Sequence, residues 1–100
     1  MSAVYLNELG VICALGADRA QIAKTLFQPQ LAGSALSDTV IPERSLVVGA
    51  VQSVLPSLQD LPVALHGRNN ALLLAALQQI EPAARAAIAR YGSERVAVVM

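Results

Sequence analysis

The chain has 100 residues, 55% of them hydrophobic and 3% aromatic, with seven Lys or Arg against seven Asp or Glu and no net charge. That balance excludes a basic nucleic-acid face and a polybasic membrane anchor. The single cysteine excludes an internal disulfide and a cysteine-based zinc site, and it fits a reducing cytosol. One domain is the most this length allows, and a small domain has much surface relative to core. So much Ala, Leu, Val and Ile is therefore expected of residues 1–100 cut from a larger protein, whose apolar faces meet further chain.

The first predicted element is a buried strand over Val4 to Leu15, VYLNELGVICAL. Tyr5, Leu9, Val11, Cys13 and Leu15 fall on one alternating face, and Val4, Leu6 and Ile12 on the other. Gly10 marks a bend or a close backbone approach. A secretory leader is rejected because no basic region leads the run, and Asn7 and Glu8 interrupt it. Gly16 ends the strand. Asp18 then offers a helix N-cap with Gln21 three residues on, the spacing of a capping box. A short helix follows over Arg19–Phe27, with Ile22, Leu26 and Phe27 on its apolar edge and Pro29 as its stop.

Gln30 to Arg44 has Gly, Ser and Pro punctuation and no period, which predicts a loop. Leu46–Val51, within SLVVGAVQSV, predicts the second strand. Pro56 and Pro62 bracket an irregular connection running to Gly67. The long stretch RNNALLLAALQQIEPAARAAIARYG then predicts a helix over Asn70–Tyr91, capped by Asn69 or Asn70 and closed by Gly92. Leu73, Leu77, Ile80, Ala84, Ile88 and Tyr91 make one continuous stripe at helical spacing. Leu72, Leu74, Ala75 and Ala76 fill most other faces, so this helix is expected to be buried on several sides. Pro82 lacks the N–H for the Gln78 carbonyl and predicts a kink inside one helix. Arg95–Val99 does not alternate polar with apolar, as in a central strand covered on both faces. Strand, helix and strand in this order predict an α/β core of three strands and two helices.

Chemistry-bearing constellations are hard to find. Glu8, Asp18, Asp38, Glu43, Asp60, Glu81 and Glu94 are scattered among loops and helix ends, and solvated surface charge explains them. His66 stands alone in a loop and reads as a surface histidine. Cys13 lies in an apolar run without the helix N-terminus or cationic neighbour that lowers a thiol pKa, so it reads as a small hydrophobe. Gly10 and Gly16 lack the spacing and the Lys-Ser/Thr ending of a phosphate loop. Arg68, Asn69 and Asn70 form the most polar cluster, read as a cap with a surface arginine. No catalytic, cofactor-binding or metal-binding residue is assigned.

Two separated segments share a resemblance. LGVICALG, Leu9 to Gly16, resembles the opening of β-ketoacyl-acyl-carrier-protein synthases, which typically reads GLGVVSPLG before a capped helix. RNNALLLAALQQIEPAARAAIARYGSERVAVVM is similar to a later helix and strand of that family, and LVVGAV to the short strand between them. The double-asparagine form of the long helix looks closest to members from bacterial aryl-polyene and related polyketide-type pathways. Glu8 and Ala14 depart from the family's usual glycine and proline, and Cys13 aligns with a non-catalytic serine.

The resemblance implies an α/β, partial thiolase-like half-domain with a mixed sheet, one long buried helix and one short helix. It implies a parent acyltransferase, cytoplasmic and cofactor-free, that condenses an acyl thioester with a malonyl-acyl-carrier-protein partner. The family's nucleophilic cysteine and its two histidines lie beyond Met100, so the fragment is expected to be inactive. A non-catalytic chain-length-factor type of partner subunit and an unrelated small α/β interaction domain are the alternatives. The exposed apolar faces predict a homo-oligomer that covers the Leu72–Leu77 helix or the terminal strand, with no nucleic acid or membrane bound.

Overall fold

The computed structural model describes residues 3–28 and 33–100. Helix α1 is Arg19–Leu26, strands β1 and β2 are Ser34–Ile41 and Arg44–Gly49, and helix α2 is Arg68–Tyr91. Single 3-10 turns stand at Val63–Leu65 and Ser93–Arg95. Both predicted helices form, within two residues of their expected ends. The α/β composition holds, but among the described residues the sheet is a two-stranded antiparallel hairpin and not a three-stranded mixed sheet.

Helix α1 begins as its capping signal requires. The Asp18 carboxylate accepts from the Gln21 N–H at 2.8 Å, and the Gln21 side-chain oxygen accepts from the Ala17 N–H at 2.7 Å. The return bond reaches one residue before the cap, so two orphan donors are still satisfied reciprocally. Thr25 closes the helix by accepting from Phe27; the predicted stop, Pro29, lies outside the described residues.

The predicted loop over residues 30–44 is corrected by β1, which pairs with β2 from Ser34↔Gly49 to Ile41↔Arg44; residues 30–32 lie outside the described residues. Its turn is Pro42–Glu43, with Glu43 at φ 65. Proline pre-sets the first central position, and the second needs a positive φ that glycine or asparagine normally supplies. Glutamate there hides the hairpin from a sequence reading. Turns of this hand fit the strand twist poorly, and the register shifts between Ser37 and Ile41.

The expected strands over residues 4–15 and 95–99 do not form. The first segment is irregular up to a tight turn in which Cys13 and Gly16 exchange backbone bonds of 3.0 and 3.1 Å. The second is the 3-10 turn at Ser93–Arg95 followed by residues without a ladder. A strand exists only by pairing, and neither segment has a ladder partner among the described residues.

Helix α2 runs through Pro82 without a break. It starts before the expected Asn69 or Asn70 cap. Gly67 is the N-cap, and the Asn70 amide instead donates to the Leu65 carbonyl at 2.8 Å. Gly92, at φ 90, ends the helix as expected. The burial expectation is corrected. Ala71, 7% exposed, is the buried hydrophobic residue among those described, while Leu73 is 44% exposed and Leu77, Ile88 and Tyr91 are also open. The half-covered positions are Asn70, Leu72, Leu74, Ala75, Ala76, Gln79, Ile80, Glu81, Ala83, Ala84 and Ala87, so the covered side takes in only Ile80 and Ala84 of the predicted stripe.

The whole is expanded. Its radius of gyration is 17.2 Å, against about 13 Å for a compact chain of this length. Its accessible surface is 8258 Å², about half as much again as a compact chain of its mass exposes. Residues such as Leu6 and Met100 stand 95% and 92% exposed. These are apolar surfaces without a partner.

Candidate functional site

Helix α2 organises what the chain does hold together. At Gly10, an added Cβ would lie 2.1 Å from the Ala76 carbonyl oxygen. This is the close backbone approach expected there, and it lets the first segment lie directly on the helix. One turn on, Gln79 reaches across. Its side-chain oxygen accepts from the Val11 N–H at 3.0 Å, and its amide donates to the carbonyls of Val11 at 2.9 Å and Ala17 at 2.7 Å. The primary amide thus meets both backbone groups of Val11, as a neighbouring strand would. All three bonds are partly buried, where an unpaired amide or carbonyl is costly. Gln79 was missed by the sequence reading; its signal is that, of the adjacent pair Gln78 and Gln79, it falls in line with Leu72, Ala75 and Ala76 at helical spacing.

The Gly10–Ala17 segment supports the hairpin in turn. An added Cβ on Gly33, at φ 76, would lie 2.2 Å from the Ala14 carbonyl oxygen, and one on Gly49 would meet the Ala14 methyl at 3.5 Å.

A shallow concavity of about 410 Å³ lies at the start of α2, lined by Leu55, Pro56, Leu58, Gln59, His66, Arg68 and Ala71. Two of the polar side chains on it are already engaged. His66 Nε2 is 2.9 Å from the Leu61 carbonyl, and the Arg68 guanidinium donates to the Val51 carbonyl at 3.1 Å. These bonds, with Asn70 on Leu65, tie the irregular connection to the helix. The Arg68–Asn70 cluster therefore acts as a structural tie, where its sequence reading had a cap with a surface arginine; Gly67 is the cap. A second open concavity borders Leu9, Asp18, Arg19 and Gln79.

The remaining candidates are apart. Cys13 is half-buried in its turn. Glu81 receives two bonds from Arg85, of 3.0 and 2.7 Å, and Glu8 lies 3.6 Å from Arg19. Both pairs are exposed, where such contacts contribute little. Among the described residues, no three His, Cys, Asp or Glu gather as metal ligands, and no helix is long and apolar enough to cross a membrane. The described arrangement offers shape and backbone support rather than a nucleophile with its base.

Shape is also what the comparisons match. A chain in the solved complex of a ketosynthase (ApeO) with its chain length factor (ApeC) from Xenorhabdus doucetiae is similar to this one, with 38% sequence identity and a TM-score of 0.78. The likeness covers 88% of this chain and 22% of that chain. No family model and no curated protein matches. The chain is ketosynthase-like, with a fold shared with part of a thiolase-like domain.

Proposed function

We propose that this ketosynthase-like chain is the N-terminal segment of a β-ketoacyl-acyl-carrier-protein synthase of the aryl-polyene or polyketide type. The observation that carries this is the 38% identity and shared fold over 88% of the chain, against only 22% of a ketosynthase-complex chain. The expanded shape and open apolar stripe support it, because a segment of a larger half-domain leaves such faces for chain that follows. Its role is scaffold: α2 and the Gly10–Ala17 segment form the packed base on which the reacting centre is assembled.

In such a synthase a cysteine thiolate attacks the acyl thioester, releasing the carrier thiol and leaving an acyl-enzyme. Malonyl-carrier thioester loses carbon dioxide, and its carbanion attacks the acyl carbonyl and expels the thiolate. Two backbone N–H groups hold the developing oxyanion. The partners would be acyl carrier proteins in the cytoplasm. Among the described residues no nucleophile meets a base, so residues 1–100 alone are expected to be inactive on this reading.

A second reading is favoured by one observation: the similar chain comes from a complex that contains a chain length factor as well as a ketosynthase. A non-catalytic subunit of that type would share the same scaffold and lack the nucleophile. The test is to read the coding sequence downstream of Met100 and to assay the encoded protein with acyl- and malonyl-carrier proteins. A cysteine at the nucleophile turn, with release of carbon dioxide lost on its replacement by alanine, is the expected result. Another residue there, with activity only beside a second subunit, supports the partner reading. A reading frame that encodes no further half-domain sinks both.

A further inference from the structure

We propose that Gln79 and Ala14 form a two-step latch that keeps the β1–β2 hairpin ordered from outside it. The hairpin cannot hold itself. It has two strands with no fully buried residue, a non-glycine residue at φ 65 in its turn and a shifted register beside that turn. An isolated two-stranded hairpin is marginal in water, and this turn matches its strands poorly. Its order therefore depends on where its open end is seated.

That seat is Ala14. Both glycines at the open end meet it: a Cβ on Gly33 would lie 2.2 Å from the Ala14 carbonyl oxygen, and one on Gly49 would lie 3.5 Å from its methyl. Ala14 stands at the tip of a loop closed by the paired bonds between Cys13 and Gly16. The legs of that loop are Val11 and Ala17, and Gln79 grips both. One side chain of α2 thus fixes the legs of the loop whose tip bears the hairpin. The hydrogen bonds of Gln79 end on those legs, so its influence on the ladder passes through Ala14.

The exposure along the hairpin follows the same path. Ala35, Ser37, Leu46 and Val48, nearer the seat, are half-covered, whereas every residue from Asp38 to Ser45 is exposed. A second tie, from the Arg68 guanidinium to the Val51 carbonyl at 3.1 Å, is itself exposed and meets the chain past the end of β2. It steadies the exit of the hairpin and leaves the ladder to the latch. Units with few buried contacts and exposed backbone bonds open together, below the stability of the whole. The hairpin is thus an arm with a seated and a released state, and Gln79 sets the balance between them.

The latch does not depend on the synthase reading. Its test is amide exchange of the 100-residue chain, read residue by residue in the parent, in Gln79→Leu, in Gly33→Ala, and in Gln79→Leu combined with Glu43→Gly. The ladder amides are those of Leu46, Val48 and Ala50, every second residue counted from the 3.0 Å bond of Ala50 to Gly33. In Gln79→Leu these amides and that of Val11 are expected to lose protection together, about tenfold or more, as groups stripped of a partner do. The amides of α2 keep theirs. Gly33→Ala blocks the seat and leaves the Gln79 bonds in place, so the ladder amides are freed while Val11 stays protected. Glycine suits the positive φ at position 43, so Glu43→Gly returns protection to the ladder in the Gln79→Leu chain, with Val11 still exchanging. A ladder that keeps its protection in Gln79→Leu overturns the latch, and so does a Glu43→Gly that restores nothing. Gly33→Ala that frees the Val11 amide overturns it as well, because the hairpin would then support the loop. Should Gln79→Leu free the amides of α2 too, the Gly33→Ala chain decides alone by the same two amide sets. None of these outcomes touches the condensation assay, so the two ideas fail separately.

Discussion

Two apolar stretches of similar composition end differently in this molecule. The segment from Gly10 to Ala17 is held by α2 through a glycine contact and three bonds to Gln79. Residues 96–100, equally apolar, have no ladder partner among the described residues, and Val99 and Met100 are almost fully exposed. Hydrophobicity alone therefore does not decide which segment settles. The first has a polar partner for its backbone within reach, and the second, among the described residues, has only the local bond from the Val96 N–H to Ser93. An extended chain orders only when its N–H and C=O groups are met as well as its side chains.

The largest expected effect comes from removing the approach that makes the first contact possible. Gly10→Val places a branched side chain where the Ala76 carbonyl already stands, 2.1 Å from even a methyl carbon. Helix backbone cannot yield cheaply, so the segment must lift. The expected cost is about 3 kcal/mol or more, read as lost exchange protection at the Val11 amide and a lower urea midpoint. Unchanged protection would mean that Gly10 is incidental to the contact.

Gln79→Leu comes next. It keeps the volume and the helix propensity but leaves the Val11 N–H and two carbonyls without partners. A loss of about 2 kcal/mol is expected, since partly buried groups stripped of their partners cost roughly 1–3 kcal/mol. Gln79→Glu keeps the acceptor and turns two donors into a charge facing two carbonyls, so it should be no better than leucine. A glutamate variant as stable as the parent would show that only the bond from Val11 matters.

What was legible in the sequence follows the same division. Helices α1 and α2 were readable because their signals are local: the Asp18 cap with Gln21, the 3.6-residue spacing and Gly92 all lie within the element. Gly10 was readable as a close approach because only a missing side chain explains glycine in an apolar run. Of the strands only β2 was readable, expected over Leu46–Val51 and found over Arg44–Gly49, because a strand is made by a partner that the segment itself does not specify. Residues 4–15 and 95–99 have the right composition and no ladder. Residues 34–41 have Ser, Asp and Thr yet pair across a turn whose glutamate sits at a positive φ. The site fared likewise. His66 and the scattered acids are exposed apart from the half-covered Glu81, whereas Gln79 was passed over because its value comes from chain sixty-eight residues away.

The smallest expected effect is the sharpest test of why α2 carries an apolar stripe that this chain leaves open. Leu73 is 44% exposed and Ala71 is 7% exposed, two positions apart on one helix. In the 100-residue chain Leu73→Lys should change stability by no more than about 0.5 kcal/mol, as exposed substitutions do. Ala71→Lys forces an unpaired charge into the one buried apolar position among the described residues and should cost several times as much. If Leu73, Leu77 and Ile88 face chain that follows Met100, the asymmetry disappears in the longer protein. There Leu73→Lys would meet an apolar seam and lose stability as Ala71→Lys does. Denaturation midpoints of both variants, in the short chain and in the longer one, decide the matter. A Leu73→Lys that remains neutral in the longer protein would mean that the stripe is not an interior seam, and that its leucines face solvent or a separate partner.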